Sequence, residues 1–409
     1  MTTTFKPVSS ANQFINTNRA VALGNPSWQE TDESGLLNIA VRYGQNGHLT
    51  DHNGHDFINM CSCSYLGLDV HPEIVAGGID GLRQAGTLNL STARLRIHLA
   101  MLNDVEDDLS SLFGAKAVTT INCAAATAGI LPIIASGHLT GGKKPLMVFD
   151  KNCHFSINHV KPICGDETEV ATSPHNDMNF LEDICRRNGN VAYVADGAYS
   201  MGGHAPIQDL LHLQDRYGLF LYFDDSHSLS IFGRHGAGYV RSSMTDMTER
   251  TIIAASLGKA FGASGGVVMF GSAKDMPVIE RFGGPMAWSQ CINPAAMGAI
   301  LASAKIHRSE ELQERQAALA RNIQLFDDQI QTTNAGIPLP IRVIPISDAR
   351  IAVACSKAIF ERGYYTSAVF FPIVAQGRAG LRVMPRADLT PTQIASFCNE
   401  TMTAIERFQ

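Results

Sequence analysis

The sequence predicts an α/β protein in which a mostly parallel sheet, wrapped by helices, forms a large domain and a smaller α+β domain follows it. Three observations carry that prediction. From Pro72 to Phe270 short β-rich runs alternate with helical stretches, the pattern of a sheet covered on both faces. Two of those runs, Leu219-Phe220-Leu221-Tyr222-Phe223 and Ile252-Ile253-Ala254-Ala255, are apolar throughout, as strands buried on both faces must be. After Pro294 the pattern changes to a long helical region, one short strand and a closing helix. The divisions that follow are an arm and hairpin over 1–58, a large domain over 59–293 and a small C-terminal domain over 294–409.

The opening fifty-odd residues are mixed and turn-rich, which predicts a short arm with a helix or two. Residues 48–60 read as a hairpin turning at Asn53-Gly54, a dipeptide suited to the left-handed conformations of a tight turn. Leu102, Val105, Leu109 and Leu112 recur at helical spacing and predict one buried face. Strands are expected at 118–121, 146–149, 191–195, 219–223 and 252–255, and the alternating stretch ends at Val267-Val268-Met269-Phe270. A helix is expected over 207–217, started by Pro206. One long helical region should run from Pro294 to about Gln331, with Glu310, Glu311, Glu314 and Arg315 on wet faces. Leu381-Arg382-Val383 reads as a strand and 390–408 as the terminal helix. No repeats interrupt this order.

Composition narrows the function classes. The chain has 409 residues, 45% apolar and 17% charged, which suits a globular enzyme rather than a disordered or fibrous chain. Its net charge of −6 offers no basic surface for nucleic acid or anionic membrane. Met1 to Pro7 lack the apolar run of a secretory signal and no stretch is long enough to span a bilayer, so a cytoplasmic protein is expected. Nine cysteines without a repeating spacing predict reduced thiols. Cys61-Ser62-Cys63 alone falls short of a metal ligand set, so no metal is expected.

The chemistry lies where the two apolar strands end. The first runs into Asp224-Asp225-Ser226-His227 and the second into Ser256-Leu257-Gly258-Lys259. Parallel strands place such groups at the carboxyl edge of one sheet, where open α/β sheets bind ligands. Singly, a strand-end aspartate is commonly a cap and a lone lysine commonly solvated. Together, a lysine amine and a carboxylate are what pyridoxal 5'-phosphate needs: the amine holds the aldehyde and the anion keeps the pyridine nitrogen protonated. Ala260-Phe261-Gly262-Ala263-Ser264-Gly265-Gly266 lets backbone and cofactor approach closely. Ser256 is a candidate phosphate ligand, and Asn122-Cys123-Ala124, where a strand meets a helix, is a second candidate cradle for the dianion.

These motifs resemble the fold-type-I pyridoxal-phosphate transferases, and among them the α-oxoamine synthase family, which includes the synthases of 7-keto-8-aminopelargonate and 2-amino-3-ketobutyrate. The resemblance covers roughly 59–403. It runs in order through Ser64-Tyr65-Leu66-Gly67-Leu68, the segment around His154, His175-Asn176-Asp177 and Tyr199-Ser200-Met201-Gly202-Gly203. It continues through Asp224-Asp225-Ser226-His227-Ser228, Ser256 to Lys259, and Leu381-Arg382-Val383. It implies a seven-stranded sheet and a homodimeric acyltransferase serving biosynthesis. It further implies Lys259 as the Schiff-base lysine, Asp224 on the ring nitrogen and His154 stacked on the ring. Ser200 and His227 would meet the 3-oxygen, Cys123 and Ala124 the phosphate, and Arg382 the substrate carboxylate. The reaction implied is decarboxylative condensation of an amino acid with an acyl-CoA.

The chain departs from the family where substrate is held. Cys63 and Ser64 replace an asparagine-led pair, so these two positions are expected to anchor substrate differently. Asn122-Cys123-Ala124 replaces a serine-glycine-aromatic segment, and Gly202-Gly203 replaces an acid-glycine pair. Two alternatives stay open: aldol or substitution chemistry with an electrophile lacking CoA, and a catalytically silent partner subunit. Arg378 and Arg386, flanking Arg382, are expected to be solvated, with contact to a phosphate of CoA as the alternative for either.

Overall fold

The computed structural model describes residues 17–44, 48–90 and 93–408. The Met1 to Pro7 segment lies outside them. Fourteen strands are described: β1 (Val41–Tyr43), β2 (His48–Asp51), β3 (Asp56–Asn59), β4 (Lys116–Thr120), β5 (Leu146–Asp150), β6 (Val170–Ser173), β7 (Val191–Asp196), β8 (Phe220–Asp224), β9 (Thr251–Ser256), β10 (Gly266–Phe270), β11 (Arg342–Pro345), β12 (Tyr364–Tyr365), β13 (Ser367–Val369) and β14 (Gly380–Val383). The central sheet has the order β4-β10-β9-β8-β7-β5-β6. β10 is antiparallel to both neighbours and every other pair in the sheet is parallel. This is the expected mostly parallel, seven-stranded sheet.

Its strands are apolar end to end because helices cover both faces. β7 and β8 are buried at every position. Each fully buried large side chain contributes about 1.5–3 kcal/mol relative to exposure. Tyr222, at the centre, keeps its hydroxyl satisfied by Thr127 Oγ1 at 2.9 Å. The consequence for function lies at one edge. Four adjacent parallel strands, β5, β7, β8 and β9, end in Asp150, Asp196, Asp224 and Ser256.

The helix predicted from Leu102, Val105, Leu109 and Leu112 spans Ala100–Phe113, with all four residues buried. The helix over Ile207–Tyr217 and the terminal helix, Pro391–Phe408, also match their predictions. The long helical region is instead two helices, Pro294–His307 and Glu310–Asp327. The break falls where Ser309 turns its hydroxyl back to the Ile306 carbonyl, a local bond that competes with helix continuation. Glu310 and Glu314 are exposed as expected, while Glu311 is half-buried and reaches His71 at 3.1 Å.

Two further sheets complete the chain. β11-β14-β13 carries Arg382 on its central strand. β1, β2 and β3 form the predicted hairpin region, and β12 adds to β3 in parallel, joining the start of the chain to its C-terminal part. Arg342 is completely buried and grips Asp327 through two bonds of 2.6 Å, locking the helix of Glu310–Asp327 against β11. Among the described residues no helix is long and apolar enough to cross a membrane.

Candidate active site

Lys259 follows β9 in a tight loop. Leu257 N–H donates to the Gly265 carbonyl and Ala263 N–H to the Leu257 carbonyl, each at 3.0 Å, so the loop closes on itself. It holds the lysine Nζ 2.9 Å from Nε2 of His227, which belongs to the turn after β8. The other ring nitrogen, Nδ1, lies 2.6 Å from the hydroxyl of Tyr65. Burial first, then the neighbouring Lys259, Arg382 and His154, pushes the His227 pKa well below its ordinary value, which favours the neutral imidazole.

Asp224 lies beside this pair, nearly buried. One carboxylate oxygen accepts from Ser226 N–H at 3.0 Å and the other from the Cys123 thiol at 3.5 Å. Among the described residues no cation stands within ion-pair distance of it. Its neighbour Asp225 faces away and accepts from Val240 N–H at 3.0 Å; burial pushes its pKa up to about 7. Asp196 pairs in register with Asp224 on the adjoining strand. Burial first, then the charge of Asp224, raises the Asp196 pKa well above the usual carboxylate range.

Asp196 also places His154. Its Oδ1 accepts from the His154 backbone N–H at 3.1 Å, while His154 Nδ1 caps the following helix by accepting from Ser156 N–H. His154 is exposed, yet the protein packed round its ring lowers its pKa. Asp150 supports the same edge. It is completely buried and bonds His175 at 2.9 Å, Tyr193 at 3.1 Å and the Asn176 N–H at 2.9 Å. His175 packs edge-on against Tyr199, which leads into the turn bearing half-buried Ser200. In that turn Gly202 has φ +96°, and Asn334 fills the place a side chain would take, donating to the Met201 carbonyl at 3.2 Å.

The helix Cys123–Ala135 begins against this cluster. Its cap, Asn122, accepts from Ala125 N–H at 2.8 Å, which leaves the Cys123 and Ala124 N–H groups free for an anion. Gly266 permits the approach: a Cβ there would stand 2.7 Å from Cys123 N and from Asn122 C. The Cys123 side chain turns to Asp224, so only its backbone N–H could meet an anion. Ser256 is half-buried at the end of β9, its Oγ accepting from Gly258 N–H at 3.2 Å.

Arg382 completes the cluster. Its Nε and Nη2 are buried and have no hydrogen-bond partner. Unsatisfied guanidinium donors are costly, so this pair could seat a planar anion such as a carboxylate. Cys61, half-buried like Cys63, feels the Arg382 charge, although burial dominates and raises the Cys61 pKa. Ser64 does not join them. Its hydroxyl bonds Asp69. Arg386 is not solvated: it is buried, bonding Asp388 at 2.9 Å and the Asn59 carbonyl at 2.8 Å. Arg378 is exposed, as expected.

The donor set fits pyridoxal phosphate: an amine, a buried carboxylate with no cation, free N–H groups at a helix start and an unpartnered guanidinium. Sequence reasoning assigned no role to Tyr65 or Asp196. Asp196 carried a usable signal, since it ends an apolar strand as Asp224 does. Tyr65 carried none, because its partner is 162 residues away.

Fold and site together define a pyridoxal-phosphate enzyme of fold type I. The chain belongs to the aminotransferase class I and II family, whose model matches residues 55–400. Among curated proteins it is similar to 8-amino-7-oxononanoate synthase of Alkaliphilus metalliredigens (strain QYMF), 29% identical over 362 residues, covering 84% of this chain and 86% of that one. It is 28% identical over 398 residues to the enzyme of the same name from Marinomonas sp. (strain MWYL1), covering 93% and 95%. A solved serine palmitoyltransferase from S. paucimobilis, with PLP and myriocin bound, shares the fold at a TM-score of 0.83 and 19% identity, covering 96% of this chain and 99% of that one. These are the relatives that a resemblance to the α-oxoamine synthases predicts.

Proposed function

We propose that this enzyme joins the α-carbon of an amino acid to the acyl carbon of a CoA thioester, releasing CoA and carbon dioxide and leaving an α-amino ketone. The observation that carries the reading is the unpartnered, buried pair of Arg382 donors in one cluster with Lys259, Asp224 and His227. When bound, pyridoxal phosphate supplies an electron sink for the charge left on the α-carbon. Lys259 would supply the amine that holds the cofactor carbonyl and would serve as a base for the α-proton. Asp224 would keep a negative charge against the ring nitrogen. The Cys123 and Ala124 N–H groups, with Ser256, would hold the phosphate. His154 would cover one ring face, and Ser200 and His227 would meet the ring oxygen. Arg382 orients the amino-acid carboxylate, with Cys63 beside it. The names of the relatives, synthases and acyltransferases, support a thioester partner.

The same reading holds the chain to be a homodimer, divided near residues 58 and 293, and at work in the reducing cytoplasm. Leu88, Ile97, Phe155, Phe282 and Trp288 are large apolar residues left exposed, as a subunit interface would leave them. All nine cysteines are free, which suits a reducing compartment.

The test supplies the purified protein with pyridoxal phosphate, single amino acids and acyl-CoAs of graded length. CoA is quantified chromatographically and carbon dioxide from carboxyl-labelled amino acid. Release of both in equal amounts, dependent on both substrates and absent in Lys259→Ala, is the expected result. Carbon–carbon bond formation without CoA release would move the assignment to aldol or substitution chemistry.

A further inference from the structure

We propose that Asn334, in the loop after the helix Glu310–Asp327, is a positioning residue that holds the turn bearing Ser200 at the cofactor site. The proposal rests on the function proposed above, in which Ser200 meets the ring oxygen of the cofactor.

The turn after β7 is fixed at its base. Gly197 N–H donates to the Asp224 carbonyl at 2.8 Å, and Ala205 N–H returns to the Gly197 carbonyl at 3.0 Å. Beyond that base the turn is closed by Tyr199 N–H on the Gly203 carbonyl at 3.0 Å and by Gly202 N–H on the Tyr199 carbonyl at 2.9 Å. Its tip holds two successive glycines with φ +96° and +86°. Glycine takes such angles without strain, but it gives up the most backbone freedom on ordering and brings no side chain to pack. The place of Ser200 therefore depends on what meets the tip from outside.

Asn334 meets it. Its Nδ2 donates to the Met201 carbonyl at 3.2 Å, and a Cβ on Gly202 would stand 1.9 Å from that same nitrogen. The amide occupies the volume that any side chain at 202 would need. An acidic residue there, as in the pair that Gly202-Gly203 replaces, would expel it. The glycine and the asparagine thus belong together, although 132 positions separate them.

Asn334 is itself braced. Its loop is closed by Ala335 N–H on the Thr332 carbonyl and Ile337 N–H on the Asn334 carbonyl, each at 3.2 Å. Gly336 N–H donates to Asp327 Oδ2 at 3.0 Å, and Arg342 Nη2 donates to the Ile337 carbonyl at 3.0 Å. Both charged residues are buried and paired with each other. A donor on an anchored loop restrains the carbonyl it meets, whereas one on a free side chain would only follow it. Tyr199, packed on His175, steadies the near side of the turn, and Asn334 steadies the far side.

The test is a double-mutant cycle of Asn334→Ala and Ser200→Ala, read by the dissociation constant of pyridoxal phosphate and by the absorbance of the bound cofactor across pH. Asn334→Ala should weaken binding about threefold to tenfold and move the absorbance profile in the direction that Ser200→Ala moves it. Added to Ser200→Ala it should do nothing further, since one residue acts through the other. Asn334→Asp keeps the shape but gives the Met201 carbonyl no donor. It should weaken binding in the same way, and it serves if Asn334→Ala fails to fold. Additive losses overturn the proposal, as do Asn334 variants that melt earlier yet bind the cofactor normally. A silent Ser200→Ala would remove Ser200 from the ring oxygen and take the proposal with it. Hydrogen exchange of the Tyr199 and Gly202 amides in the cofactor-free protein stands apart from the function proposed above. It should quicken about tenfold in Asn334→Ala, and unchanged exchange overturns the proposal even where the cofactor binds as expected. Failure of the unmodified protein to take up pyridoxal phosphate would instead sink the proposed function, and the exchange measurement would still decide whether Asn334 holds the turn.

Discussion

Asp224 and Arg382 are charged groups held out of water without charged partners, and each is costly unless a ligand completes it. Asp224→Asn preserves shape and removes the charge. It should lower the rate of CoA release by about a hundredfold or more while leaving the fold intact, checked by initial rates alongside circular dichroism. Arg382→Lys keeps the charge but loses the planar fork. The amino-acid KM should rise about tenfold to a hundredfold with a smaller change in kcat, since a fixed bidentate contact is lost. An unchanged KM would place the carboxylate elsewhere. Lys259, Asp224 and His227 were legible in the sequence because each directly follows an apolar strand, and a parallel sheet brings such ends together. The direction of Ser64 was not legible in the same way. It shares its motif with Tyr65, but its hydroxyl faces Asp69, five positions along, and chain order says nothing of side-chain direction.

Among the elements, the start of the helix Cys123–Ala135 depends on glycine at 266. Gly266→Ala would press a methyl group against Cys123 N and Thr120 Oγ1, at 2.7 and 2.6 Å. The strand and the helix start must then part, costing about 1–3 kcal/mol and misplacing the two free N–H groups. A lower urea midpoint together with weaker pyridoxal-phosphate retention on dialysis is the expected pair of results; loss of stability with normal retention would deny the helix start its phosphate role. The helix Pro294–His307 ends in a buried His307 bonded to Ser303 and Ser230, its pKa lowered to about 4 from 6.5 chiefly by burial. Above 6.5 neither state is charged there and pH has no leverage. Between 6.5 and 4 the unfolded chain binds the proton and the folded chain refuses it, so stability falls as pH falls, by about 3 kcal/mol across the window. His307→Gln should flatten that part of the stability profile; equal slopes in both proteins would show His307 to be no contributor. Long apolar strands and capped helices were legible because their pattern is local. β6, a short run of Val-Ala-Thr-Ser at the sheet edge, was not, and neither was β12, whose pairing with β3 joins residues some three hundred positions apart.

For the molecule as a whole, several large apolar side chains stand exposed. Ile97 is 65% exposed and Trp288 55% exposed, with Arg96 lying over the indole ring at 5.8 Å. Ile97 and Leu90 share a wall with Ile292 and Met297, so residues 89–90 and 97–99 rest on the stretch that leads into the helix Pro294–His307. His154 and Phe155 lie at another exposed edge, and Phe155 is 74% exposed beside a ring that the proposed function places on the cofactor. Leaving so much apolar surface wet is unfavourable in a chain of ordinary composition, and a two-fold partner removes it most simply. Analytical ultracentrifugation should therefore find a dimer. Ile97→Asp, which buries a charge if that interface forms, should shift the population toward monomer and lower cofactor retention with it, if the sites are completed across the subunits. A dimer untouched by Ile97→Asp would move the interface off this segment, and a monomer in the unmodified protein would mean that each chain forms its site alone.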